Sequence, residues 1–132
     1  MSYYCGTDII EVERIKNAIL STPGFKEKIF TPLEIEYADS KSDVTRFMHY
    51  AGRFAAIEAI YKSLSKIDSN LSLTEIEILN DKENKNRPFA NILKPELNLM
   101  QKEGKLIIDV SISHIKDYAT ANSIATLLWY TL

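Results

Sequence analysis

Cysteine is nearly absent. The one thiol, Cys5, has no partner for an internal disulfide, which makes a reducing compartment the simpler expectation. Glycine and proline number four each, too few for collagen-like or low-complexity sequence. Neither sign of charge predominates: 16 Lys and Arg against 18 Asp and Glu leave a net charge of −2. That excludes a strongly basic nucleic-acid binder and a strongly acidic tail alike. No apolar run is long enough for a bilayer. The most apolar stretch, Ile124 to Leu132, is broken by Thr126 and Thr131 and falls far short of the ~20 residues a span needs. The first residues reach Asp8, Glu11 and Glu13 before any signal-like apolar run. There is no His/Cys cluster with zinc spacing, no Gly-x-Gly-x-x-Gly and no Walker loop. The expectation is a cytoplasmic protein that works without membrane or nucleic acid.

What remains is an ordinary globular balance, 45% hydrophobic and 26% charged over 132 residues, which argues against disorder and fits one domain over residues 1–132. Tyr3 to Thr7 reads as a short strand broken at Gly6, and Asp8 opens a helix to about Leu20, stopped by Thr22-Pro23-Gly24. Thr31-Pro32-Leu33-Glu34 has the form of a capping box with proline in the first turn, starting a helix to about Ser40. After a loop at Lys41-Ser42-Asp43, the longest helix spans about Val44 to Ser65. Leu73 to Leu79 reads as a strand, Asn80 to Arg87 as a polar connection, and Pro95 to Glu103 as a helix ended by Gly104. Leu106 to Ser113 alternates, with Ile108, Val110 and Ile112 on one face and Asp109, Ser111 and Ser113 on the other. Lys116-Asp117 turns into a final strand, Tyr118 to Tyr130. The pattern predicts an α+β fold: a small antiparallel sheet, closed by a hairpin, packed with one long and several shorter helices.

Two carboxylates stand out. At about 100° per residue, counting from Phe47 places Phe54, Tyr61, Ala51 and Tyr50 on one side of the long helix, with Ile57 and Leu64 at its edge. Glu58 falls inside that arc, so it must be paired, protonated or bound to a cation. Lys62, one turn on, offers an i,i+4 salt bridge. Asp8, between strand and helix, reads either as an N-cap or as an oxygen ligand for a hard cation. Mg²⁺ is usually held by only one or two carboxylates plus water and substrate phosphates, and Asp8 with Glu58 would supply two.

These residues lie within a larger resemblance. Gly6-Thr7-Asp8-Ile9-Ile10-Glu11-Val12-Glu13-Arg14-Ile15 resembles the N-terminal motif of the holo-acyl-carrier-protein synthases, the small 4′-phosphopantetheinyl transferases. Arg53-Phe54-Ala55-Ala56-Ile57-Glu58-Ala59 resembles their second motif. Phe30 to Glu34 with Tyr37-Ala38, Ile76 to Asn80, and Val110 to His114 are similar to intervening segments, all in order along nearly the whole chain. The resemblance implies a transferase-like fold and a Mg²⁺-dependent transfer of 4′-phosphopantetheine from coenzyme A to a serine of apo acyl carrier protein, releasing adenosine 3′,5′-bisphosphate. It implies Asp8 and Glu58 as Mg²⁺ ligands, Glu58 as the acceptor of the serine proton, and Lys62 beside the pyrophosphate. Arg53, Ser113 and His114 become candidate coenzyme A contacts, each with a plainer role as solvated helix face, sheet face or structural hydrogen-bond former. Arg14, with Lys16 beside it, becomes a docking position for the carrier protein. A homotrimer with active sites between subunits is also implied. His49 and Cys5 match nothing in this pattern.

Two departures are visible. Ile57 stands where the family usually has lysine, and Ser65-Lys66 replaces a glycine-containing turn found in many relatives. The loss of that lysine supports an alternative, a non-catalytic relative that binds coenzyme A or the carrier protein without transfer.

Overall fold

The computed structural model describes residues 1–128. β1 (Ser2–Glu11) leads into α1 (Val12–Ser21), α2 (Phe25–Ile29), α3 (Pro32–Asp39) and the 19-residue α4 (Arg46–Leu64). A 3₁₀ turn over Leu73–Glu75 precedes β2 (Ile76–Asp81) and β3 (Arg87–Ile92). Then come α5 (Pro95–Lys102), β4 (Leu106–His114) and β5 (Tyr118–Leu127). The α+β class is as the sequence predicts. β1, β5 and β4 form one antiparallel sheet in that order, and β2 and β3 a second, two-stranded one.

α4 lies across the inner face of the larger sheet. It can do so closely because both surfaces are built from small residues. Ala51, Ala55, Ala56, Ala59 and Ser63 of α4 are buried, as are Ala119, Ala121, Ser123 and Ala125 on the inward positions of β5. The Ser63 and Ser123 hydroxyls hydrogen-bond across the interface at 3.1 Å. Approach is tightest at Gly6, where a Cβ would sit 1.8 Å from the carbonyl oxygen of Ala59 and 2.9 Å from the Ser63 nitrogen. Gly6 therefore does not break the first strand. It is the position at which the strand meets the helix backbone.

The strand also runs past Asp8. All ten residues of β1 pair with β5, from Ser2 opposite Leu127 to Glu11 opposite Tyr118. The helix starts four residues later than the local cues suggest, at Val12, whose N–H donates to the Asp117 carbonyl at 2.9 Å. Asp8 is thus a strand residue and no N-cap. Other differences have similar causes. Leu73–Glu75 is a 3₁₀ turn closed by a Ser72/Glu75 capping box, so the strand starts only at Ile76. β3 and the short α2 went unpredicted; β3 carries Pro88 at a two-stranded edge, where a missing N–H is tolerated. β5 is seen to Leu127, and the expected extension to Tyr130 falls partly outside the described residues. The predicted capping box at Thr31 is present. Its Glu34, 1% exposed, accepts from Thr31 N–H at 2.8 Å through Oε1 and from Ile78 N–H at 2.9 Å through Oε2. One buried carboxylate so joins α3 to β2.

Gly6→Ala is expected to lower unfolding stability by at least ~1–3 kcal/mol, the cost of overpacking against backbone that cannot yield. A denaturant melt with an unchanged midpoint would contradict this account of the strand–helix contact.

Candidate functional site

Alternation along β1 points Tyr4, Gly6, Asp8 and Ile10 inward toward α4. Because Gly6 draws the strand onto the helix, the inward position two residues on, Asp8, comes up against the last turns of α4. Lys62 Nζ donates to the Thr7 carbonyl at 2.8 Å and lies 3.4 Å from Asp8 Oδ1. Asp8, Glu58 and Lys62 line one cleft of about 490 Å³ with Arg14 of α1, its walls completed by Ile10, Ile15, Phe25 and Phe54. The ion pair expected between Glu58 and Lys62 is replaced by one between Lys62 and Asp8. A sequence-local contact has given way to one across 54 residues.

Glu58 is half-buried rather than inside the core. The aromatic stripe Phe47, Phe54, Tyr61 that marked the predicted apolar arc is itself half-buried, because the deeply buried side of α4 is the alanine-rich one against the sheet. Burial among apolar walls pushes the Glu58 carboxyl above its ordinary value, the negative charge of Asp8 pushes it the same way, and Lys62 opposes both. Two mutually repelling carboxylates on an open cleft suit a divalent cation. Among the described residues no group of three or more His, Cys, Asp or Glu forms a closed metal cage. Two carboxylates with room for water and ligand oxygens fit Mg²⁺ and do not fit structural zinc. Ile57, next in sequence to Glu58, is 1% exposed and belongs to the core.

Arg53 leaves α4 about 140° around the helix from Glu58 and serves a different cleft. It is not a solvated helix residue: it is 4% exposed. Its guanidinium lies 4.0 Å over the Tyr37 ring and donates to Asn80 Oδ1, while its buried Nε has no partner among the described residues. Burial pushes its pKa down, and the nearby Tyr37 and Glu34 act against that shift. A cavity of about 150 Å³ is lined by Arg53, Tyr37, His49, Gly52, Asn80, Asn86, Pro88, Ile112 and His114. Gly52 leaves space there for the end of β4, since a Cβ would meet Ile112 Cγ2 at 3.0 Å.

The proposed residues thus divide. Asp8, Glu58, Lys62 and Arg14 share one cleft, while Arg53 and His114 share another with no lining residue in common. Ser113 is exposed on the outer sheet face, opposite to the face that carries His114. Ser65 and Lys66 line neither cleft; the Ser65 hydroxyl turns back onto the Lys62 carbonyl at 2.9 Å. His49, Tyr37 and Asn80 were missed as site residues. The available signal for His49 was its i,i+4 spacing with Arg53, which sets both on one helix face.

Comparison with known proteins shows what the whole chain is similar to. The profile of the 4′-phosphopantetheinyl transferase superfamily matches residues 4–122. A protein named holo-[acyl-carrier-protein] synthase from Thermoanaerobacter sp. (strain X514) is 42% identical over 125 residues, spanning 95% of this chain and 88% of that protein. Among solved structures, an ACPS–CoA complex from Chronobacterium ammoniagenes superposes with a TM-score of 0.80 at 26% identity, covering 98% of this chain and 100% of that one. The Helicobacter pylori holo-[acyl-carrier-protein] synthase in complex with coenzyme A gives a TM-score of 0.71 at 28% identity, covering 93% and 98%.

Asp8→Asn removes the like charge that helps to raise Glu58, so the Glu58 carboxyl should titrate at lower pH in metal-free protein. Carboxyl-detected NMR checks this, and an unmoved Glu58 titration would show that the two groups do not interact.

Proposed function

The chain belongs to the 4′-phosphopantetheinyl transferase superfamily, and from that premise we propose that it is a holo-acyl-carrier-protein synthase. The reaction transfers 4′-phosphopantetheine from coenzyme A to a serine of a fatty-acid-type apo acyl carrier protein, in the cytoplasm. The observation that carries this reading is the meeting of Asp8, Glu58 and Lys62 in one cleft.

The chemistry follows from those groups. The pyrophosphate of coenzyme A enters the cleft beside Lys62, whose ammonium offers a compact positive charge. Glu58, in the same cleft as Lys62, is the group that takes the serine proton. The serine oxygen bonds to the β-phosphorus, the bridging P–O bond breaks, and adenosine 3′,5′-bisphosphate leaves. Asp8 and Glu58 would hold Mg²⁺, which when bound neutralises phosphate charge and orients the pyrophosphate for displacement. Arg53 and His114 receive a phosphate of the nucleotide end: a buried guanidinium with a free N–H beside an imidazole is an anion site. Arg14 stands at the mouth of the Asp8 cleft, where an acidic carrier would dock. The non-catalytic alternative rested on Ile57, and a core side chain at that position leaves the cleft chemistry intact.

We also propose a homotrimer with interfacial sites. The pyrophosphate-type and nucleotide-type clefts open separately on one chain, so one ligand would draw them from two protomers. The outer face of the larger sheet carries Tyr3, Ile9, Ile107, Tyr118 and Ile124, each 47–68% exposed, and apolar patches of this kind mark protein interfaces. Ser113 shares that face and would meet the ligand in the assembled form. No helix among the described residues is long and apolar enough to cross a membrane.

Incubated with coenzyme A, Mg²⁺ and apo acyl carrier protein, the wild type is expected to add one phosphopantetheinyl group to the carrier, read by intact mass. Asp8→Ala and Glu58→Ala should each slow transfer by ~10²-fold or more, since metal charge stabilisation is worth several kcal/mol. Full activity in both variants would remove the proposed metal site; binding of coenzyme A without transfer by the wild type would favour the non-catalytic relative.

A further inference from the structure

The cleft around Arg53 contains a second imidazole that the mechanism above does not use. His49 stands edge-on between two rings, 5.5 Å from Tyr37 at 78° and 5.0 Å from His114 at 69°. It lines the same small cavity as the buried Arg53, whose Nε is unpartnered among the described residues. No carboxylate lines this cavity. The fields acting on His49 come from His114 of β4, Lys41 after α3 and Arg53 of α4 itself, and the Tyr37 ring of α3 packs against it. Glu34, the carboxylate that acts on Arg53, lies outside this lining, so a concave space walled by a guanidinium and two imidazoles is open to an anion.

We propose that His49 is a phosphate-contacting residue of this cleft, and that it takes up a proton as a phosphate monoester binds between it, His114 and Arg53. The inference rests on the reading of this cleft as the seat of the coenzyme's nucleotide end and adds the residue that couples its occupancy to a proton. The physical argument is charge balance. Burial holds the His49 imidazole down to about 4, helped by the positive fields of His114, Lys41 and Arg53, so at neutral pH it is uncharged. A dianionic phosphate reverses the sign of the local field and favours the charged imidazole. The neutral ring offers at most one N–H, the protonated ring two. Binding thus raises the imidazole pKa, and the coupled part of the affinity grows as pH falls and is lost as pH rises through the value in the complex. The same logic makes the site prefer a terminal phosphate, with its second charge, over a singly charged diester.

Calorimetry with adenosine 3′,5′-bisphosphate as the probe, at about neutral pH in buffers of different ionisation enthalpy, counts the protons taken up on binding. The wild type should take up a fraction of a proton. His49→Phe keeps a ring between Tyr37 and His114 but cannot titrate; it should bind the probe several-fold more weakly and lose that uptake. His49→Gln should recover part of the affinity without recovering the uptake. Comparing the proteins cancels the probe's own titration, and a purely structural role for His49 would leave proton uptake unmoved. Equal uptake by wild type and His49→Phe overturns the inference while leaving the cleft assignment standing. Failure of the folded wild type to bind the probe overturns both.

Discussion

The structure depends on how closely α4 lies on β1. A side chain at position 6 would collide with the Ala59 carbonyl, and alanine and serine line the contact on either side of it. Small residues on helix and sheet give up hydrophobic area for proximity. What that proximity achieves is positional. Asp8, near the start of the chain, and Glu58 with Lys62, on the middle helix, are held by two rigid elements packed backbone to backbone, which fixes their relation more firmly than a loop would.

The same contact sets the electrostatics. Asp8 has a cationic neighbour in Lys62, whereas Glu58 is left among apolar walls with a carboxylate nearby, which raises it. On the other side of α4, Arg53 is buried between Tyr37, Asn80 and Glu34. One helix so turns a carboxylate and an ammonium, Glu58 and Lys62, toward one cleft and a guanidinium, Arg53, toward another.

Much of this was legible from local sequence. The Thr31 capping box, the α4 span, the α5 stop at Gly104 and the alternation of β4 depend on neighbours within a few residues, and all are present. The misreadings involve partners far away in sequence. Asp8 looked like an N-cap because aspartate before an amphipathic helix usually is one; a ten-residue ladder with β5, more than a hundred residues on, keeps it in a strand. Arg53 looked solvated because its burial is created by α3 and the β2–β3 hairpin. Glu58 was assigned to the wrong depth because large aromatics dominate a periodicity count, whereas here the deepest helix face is alanine. The pairing of Asp8 with Glu58 came from hard-cation ligand chemistry and from the family resemblance, since no spacing rule relates positions 8 and 58.

The central claim is that these two carboxylates hold one hard cation. Paramagnetic broadening by Mn²⁺, substituted for Mg²⁺ at substoichiometric levels and followed on assigned amide resonances, tests it directly. The account predicts broadening centred on both Asp8 and Glu58, lost together on Asp8→Ala. Broadening centred elsewhere, or around only one of the two, would contradict it.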